Sequence, residues 1–157
     1  MAWTWYAAAR QRILKGEINL ETDTLKVALF GSASNAATLS LSTLADVTGQ
    51  LSTANGYTSG GLTLANKAFQ DGTGFTTFTS DDPQWSISGG SINPYFAVLY
   101  DDTHANDALL MVTGLNSTAG GFTVNSGGTL TLSLFDATTA NISNGYFAFV
   151  TSTTGIG

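Results

Sequence analysis

Tyr95-Phe96-Ala97-Val98-Leu99-Tyr100-Asp101-Asp102-Thr103-His104-Ala105-Asn106-Asp107-Ala108-Leu109-Leu110-Met111-Val112-Thr113-Gly114-Leu115 is the stretch that decides the fold. Tyr95–Tyr100 is almost wholly apolar and short, which suits a strand in the middle of a sheet, buried on both faces. Asp101–Asp107 is polar and turn-forming, because Asp and Asn hydrogen-bond their own backbone and tolerate turn geometry. Ala108–Leu115 then reads as the returning strand. The stretch therefore predicts an antiparallel hairpin at the centre of a β protein.

Toward the C-terminus the same grammar repeats. Gly120-Gly121 precedes Phe122–Val124, and Gly127-Gly128 precedes Thr129–Phe135, where Leu130, Leu132 and Leu134 alternate with Thr131 and Ser133. Asn144-Gly145 precedes Tyr146–Thr151, with Phe147 and Phe149 on one face. Toward the N-terminus, Gly89-Gly90 separates the hairpin from Gln84–Ser88, a strand centred on Trp85 and Ile87, with Asp82-Pro83 as a turn before it. Phe75–Thr79 alternates aromatic and Thr. Leu62, Leu64 and Phe69 open another β region, and Asn55-Gly56 and Gly60-Gly61 are turn signals around Tyr57. Thr24–Phe30 has strand alternation, Gly31–Leu39 is a small-residue loop, and Ser42–Ser52 fits either a short helical turn or a weakly patterned strand.

Residues 3–15 carry the only helical pattern. Trp5, Ala8, Ala9, Arg12 and Ile13 recur at helical spacing, Thr4 is the expected N-cap, and Gly16 stands where a C-terminal cap belongs. The prediction is a single domain over 1–157, mainly β: an antiparallel sandwich, jelly-roll or immunoglobulin-like, of about eight strands. A short N-terminal helix at 3–15 and a loose tail at 151–157 complete it. Trp85, Phe96, Val98, Leu130, Leu132, Leu134, Phe147 and Phe149 are the expected core.

Composition narrows the function classes. Only 10% of residues are charged, against about 25% in an average soluble domain. Ser, Thr, Asn and the 18 Gly must therefore supply the polar surface. The formal net charge is −6 with 5 Lys and Arg; Arg10, Arg12 and Lys15 fall in the helical segment, and none follows Lys67. A nucleic-acid groove or an anionic-lipid surface needs clustered cations, so neither partner is expected. The absence of Cys removes disulfides, thiolate nucleophiles and Cys-ligated metals. No apolar run has membrane-spanning length, and Met1–Tyr6 lacks the basic region of a signal peptide, so synthesis in the cytoplasm is expected.

No constellation reads as catalytic. Asp101, Asp102, Asp107 and His104 could suggest a Ca²⁺ loop or an acid–base pair, but the order matches no EF-hand and no nucleophile elbow is present. A hairpin loop is the better account. Asp81 and Asp82 are adjacent, so on a strand they point to opposite faces. The glycine pairs lack a following helix and a Lys-Ser/Thr, which excludes phosphate loops. No catalytic residue, metal or cofactor is expected. Trp3, Trp5 and Tyr6 have two readings: they pack the N-terminal segment onto the domain, or they anchor a neighbouring subunit, since Trp and Tyr dominate interface hot spots.

Several segments in order carry a family resemblance: Glu21-Thr22-Asp23-Thr24-Leu25-Lys26-Val27-Ala28-Leu29-Phe30, Leu44-Ala45-Asp46-Val47, Asn55-Gly56-Tyr57-Thr58-Ser59-Gly60-Gly61, Gln84-Trp85-Ser86-Ile87-Ser88-Gly89-Gly90-Ser91-Ile92, Phe96-Ala97-Val98-Leu99-Tyr100-Asp101-Asp102-Thr103 and Gly128-Thr129-Leu130-Thr131-Leu132. Together they resemble small β-rich virion structural proteins of tailed phages and prophages. The resemblance implies a virion location and supplies no catalytic residue. The expectation built on it is a capsid decoration (cement) protein on the outer capsid surface, a homotrimer bound to the major capsid protein. The alternatives are a tail component (tube, tail-tip or fibre-attachment subunit) and a carbohydrate-binding module.

Overall fold

The computed structural model describes residues 3–72, 75–115 and 122–134. In chain order the elements are β1 (Thr4–Trp5), α1 (Ala9–Leu14), β2 (Leu25–Phe30), a 3₁₀ turn at Leu44–Asp46, β3 (Leu62–Thr63), β4 (Ala68–Gly72), β5 (Phe75–Thr79), β6 (Gln84–Ser86), β7 (Phe96–Asp101), β8 (Ala108–Gly114) and β9 (Thr129–Thr131). Among the described residues the chain is mainly β, every strand pairing is antiparallel, and one small α-helix is present.

The apolar hairpin lies where its composition demands. β7 and β8 pair along their length, β2 flanks β7, and the five-stranded sheet runs β1-β8-β7-β2-β3. Val98 faces Ala28 on one side and Val112 on the other. Ala97, Val98, Leu99 and Tyr100 are all buried. A strand with hydrogen-bonded neighbours on both edges and side chains covered on both faces needs no polar alternation.

Two glycines set how other segments meet this sheet. Asn55 and Gly56 have φ of 55° and 90°, as a two-residue hairpin turn requires. Ala54 and Tyr57 exchange backbone hydrogen bonds across them. Gly61 has φ +80°, and a Cβ there would stand 1.8 Å from the Val27 carbonyl oxygen. Only glycine lets the chain come that close before β3 joins β2.

The N-terminal segment departs from the predicted helix over 3–15. Helix α1 is confined to Ala9–Leu14, and Thr4 is not its cap, which falls at Ala8 with no side-chain hydrogen bond. Instead Thr4 and Trp5 pair with Val112 and Met111, and the Tyr6 N–H donates to the Leu110 carbonyl at 3.0 Å. The open edge of β8 offers unmet backbone groups, and aromatic and Thr residues suit a strand. The helix ends as expected at Gly16, with φ 74°. Gly16 and Glu17 donate to the carbonyls of Ile13 and Arg12, which is a Schellman closure.

The remaining strands do not join the main sheet. β4 pairs with β5 and β6 with β9, each pair forming a separate two-stranded sheet. Phe122–Val124 contributes a single bridge, Ile92 to Val124. Segment 42–52 contains both things its pattern allowed, the 3₁₀ turn and a bridge from Gln50 to Phe30. Of the expected core, Trp85, Val98, Leu130, Leu132 and Leu134 are buried. Phe96 is only partly buried, because it opens β7 opposite Gly114, which has no side chain to cover it. Phe147, Phe149, the expected strand 146–151 and the tail 151–157 lie outside the described residues.

Candidate interaction surface

The aromatic N-terminus belongs to the interior. Trp3 is 7% exposed, Tyr6 is fully buried, and Trp5 is partly buried. The Tyr6 hydroxyl donates to the Ala36 carbonyl at 2.7 Å, and burial raises its pKa well above the usual phenol value. Of the two readings, the structure gives the packing one: Trp3 and Tyr6 fasten the N-terminal strand to β8 and are not free to reach a neighbour.

On the β6–β9 sheet, what faces outward is neutral and polar. On β6 and β9, Trp85 and Leu130 point inward, while Gln84, Ser86, Thr129 and Thr131 are exposed. Gln84 Nε2 donates to Thr131 Oγ1 at 3.0 Å across the pair, so this sheet face carries hydroxyls and an amide but no charge. The β4–β5 hairpin exposes Phe69 (44%) while its cross-strand partner Phe78 is buried. Their ring centroids lie 5.3 Å apart. Phe122, Leu14 and Leu39 are the other large apolar residues that are exposed, rather than partly buried, among the described residues. Phe69 was read in the sequence only as a strand residue. Its one legible signal was an aromatic beside Gln70-Asp71-Gly72, a polar context for a core position.

The loop Asp101–Asp107 closes as a hairpin. Asp101 Oδ1 accepts the N–H groups of Thr103 and His104 at 2.8 and 3.2 Å, the local bonding that gives Asp its turn preference. His104 Nδ1 accepts the Asn106 N–H at 3.4 Å. Lys26 on β2 pairs with Asp102 at 2.8 Å. Asp81 and Asp82 serve different neighbours: Asp81 accepts from Asn66 Nδ2 at 2.6 Å, and Asp82 accepts the Leu134 N–H at 3.3 Å. Gly127 and Gly128 spend their N–H groups on the carbonyls of Ile87 and Asn125, which leaves no amide cradle there. No group of three His, Cys, Asp or Glu able to hold a metal occurs among the described residues. No described helix is long and apolar enough to cross a membrane.

No family model, curated protein or solved structure matches this chain.

Proposed function

We propose that the chain is a structural subunit of a tailed-phage particle, a capsid decoration protein that works by adhesion as a homotrimer on the major capsid lattice. The observation that carries this reading is the charge-free, hydroxyl-rich outer face of the β6–β9 sheet. A neutral polar surface meets a partner without stranding ions in the contact. With Trp3 and Tyr6 occupied in the core, Phe69 on the β4–β5 hairpin takes over as the anchoring aromatic. Trimers follow from analogy, since three-fold axes of a capsid lattice present three equivalent edges. We read the three sheets as layers of one sandwich-like body, because Trp85, Leu130 and Leu132 belong to the same hydrophobic cluster as Val98 and Leu110.

Imaging intact particles and counting copies tests the proposal. Hundreds of copies on the capsid surface, and fragile but assembled particles when the chain is missing, are expected. Copies confined to the tail in multiples of about three or six would replace the capsid reading with a tail component.

A further inference from the structure

Asp101 ends β7 and has no exposed surface. Its Oδ1 is satisfied by the two backbone N–H groups of the loop, but its Oδ2 is buried and meets no hydrogen-bond donor. An ionised oxygen so placed has lost water and gained nothing in return. The segment that leads into β2 is bonded to this loop: the Thr24 N–H donates to Thr103 Oγ1 at 2.7 Å and the Thr24 carbonyl accepts the Asp102 N–H at 2.8 Å, which brings another acid, Asp23, to the side chain of Asp101. Asp23 is itself held in place. Its Oδ2 accepts the Asn19 N–H at 2.6 Å, and its backbone carbonyl accepts from Lys67 Nζ. Two carboxyl groups in contact, one of them fully buried, do not readily both ionise.

We propose that Asp101 and Asp23 share one proton, with the neutral carboxyl of Asp101 donating from Oδ2 to the Asp23 carboxylate, and that this proton clasps the β7–β8 hairpin loop to the entrance of β2. Around the clasp stand Asp23 ahead of β2, Lys26 on β2, Asp102, His104 and Asp107 in the hairpin loop, and Lys67 at the Asp23 carbonyl. Lys26 is engaged with Asp102, and the Lys67 ammonium is spent on a backbone oxygen. Burial is the largest influence on Asp101 and raises its pKa. The Thr103 and His104 N–H groups oppose this, and the charge and contact of Asp23 add to it. A carboxyl raised in the folded state contributes stability that is complete below its unfolded pKa and is lost as pH rises through the folded value. The clasp therefore loosens toward alkaline pH, opposite to an ordinary ion-paired carboxylate. A Ca²⁺ ion could also neutralise two acids, but it takes about six to eight oxygens, and no group of three acids, His or Cys able to hold a metal occurs among the described residues.

The test is a series of thermal melts of the full chain from acid to alkaline pH, for the native protein, Asp101→Asn and Asp23→Asn, each with EDTA or with Ca²⁺. Asn at 101 keeps the acceptor for Thr103 and His104 and offers Nδ2 to Asp23 at every pH. The expected result is a Tm advantage of Asp101→Asn that grows by several degrees as pH rises, a similarly flattened profile for Asp23→Asn, and no response to Ca²⁺ or EDTA. Amide exchange at Thr103 and His104 should accelerate beyond its intrinsic pH dependence in the native protein alone. A pH-independent difference between the proteins overturns the shared proton. So does a native Tm at alkaline pH that Ca²⁺ restores.

Discussion

β7 and β4 are strands of similar length with opposite fates. β7 has β8 on one edge and β2 on the other, and is buried from Ala97 to Asp101. β4 has only β5, and Ala68, Phe69, Gln70 and Asp71 are exposed. The difference follows from composition. Phe96-Ala97-Val98-Leu99 offers no polar side chain that would have to leave water, and the buried polar groups that close β7 find partners, the Tyr100 hydroxyl in the Gly60 carbonyl and Asp101 Oδ1 in two backbone N–H groups, whereas Gln70 and Asp71 keep β4 at the surface. An isolated two-stranded hairpin is marginal in water. This one is fastened by the side chain of Phe78, which belongs to the core. The centre of the molecule is thus a stability device, and its margin is the part left available for contact.

The β6–β9 pair tests where that centre ends. It is two-stranded like β4–β5, yet Trp85 is 2% exposed and lies with its ring centroid 6.4 Å from that of Tyr57. Trp85→Ala should therefore behave as a core truncation and cost about 3–5 kcal/mol, measured by denaturant unfolding. A loss as small as that of a surface substitution would class β6–β9 with the marginal hairpin.

The next effect in size concerns the N-terminal edge. Tyr6→Phe removes the donor to the Ala36 carbonyl without changing the ring's packing. Leaving that buried oxygen unmet should cost about 1–3 kcal/mol, read as a fall in the denaturant midpoint at unchanged slope. If stability does not change, β1 is held by ring burial and its pairing with β8 alone.

The same contrast explains which features the sequence disclosed. Strands β2, β5, β7 and β8 were legible because alternation or a continuous apolar run leaves one arrangement that buries them. The Asn55-Gly56 turn was legible because its backbone needs residues that tolerate positive φ. The helix over 3–15 was overextended because the Ala-rich run is locally helical, while the force that draws Thr4 and Trp5 into a strand is the distant edge of β8, which no local pattern records. Whether Trp3 and Tyr6 pack inward or anchor a neighbour stayed open in the sequence for the same reason. Phe96 looked like core because its neighbours are, and only its pairing with Gly114 uncovers it. Division of the strands into separate sheets, and the meeting of Asp23 with Asp101, likewise depend on long-range register.

The smallest stability effect is expected at Phe69, and there it separates folding from adhesion. Phe69 is 44% exposed, and its ring touches that of Phe78 in a tilted pair. Such a pair contributes about 0.5–1.5 kcal/mol beyond its buried area, so Phe69→Ala should shift the unfolding midpoint only slightly. Binding follows a different account. An exposed aromatic is the kind of residue that carries contact energy when a partner covers it. The variant should therefore fold, melt close to the native temperature and, in the proposed decoration role, be retained poorly on particles in a sedimentation assay. Full retention with a small loss of stability would show that the β4–β5 hairpin is peripheral to the contact. A large loss of stability would show instead that β4 is bound into the core as firmly as β7, and that the contrast between centre and margin does not hold.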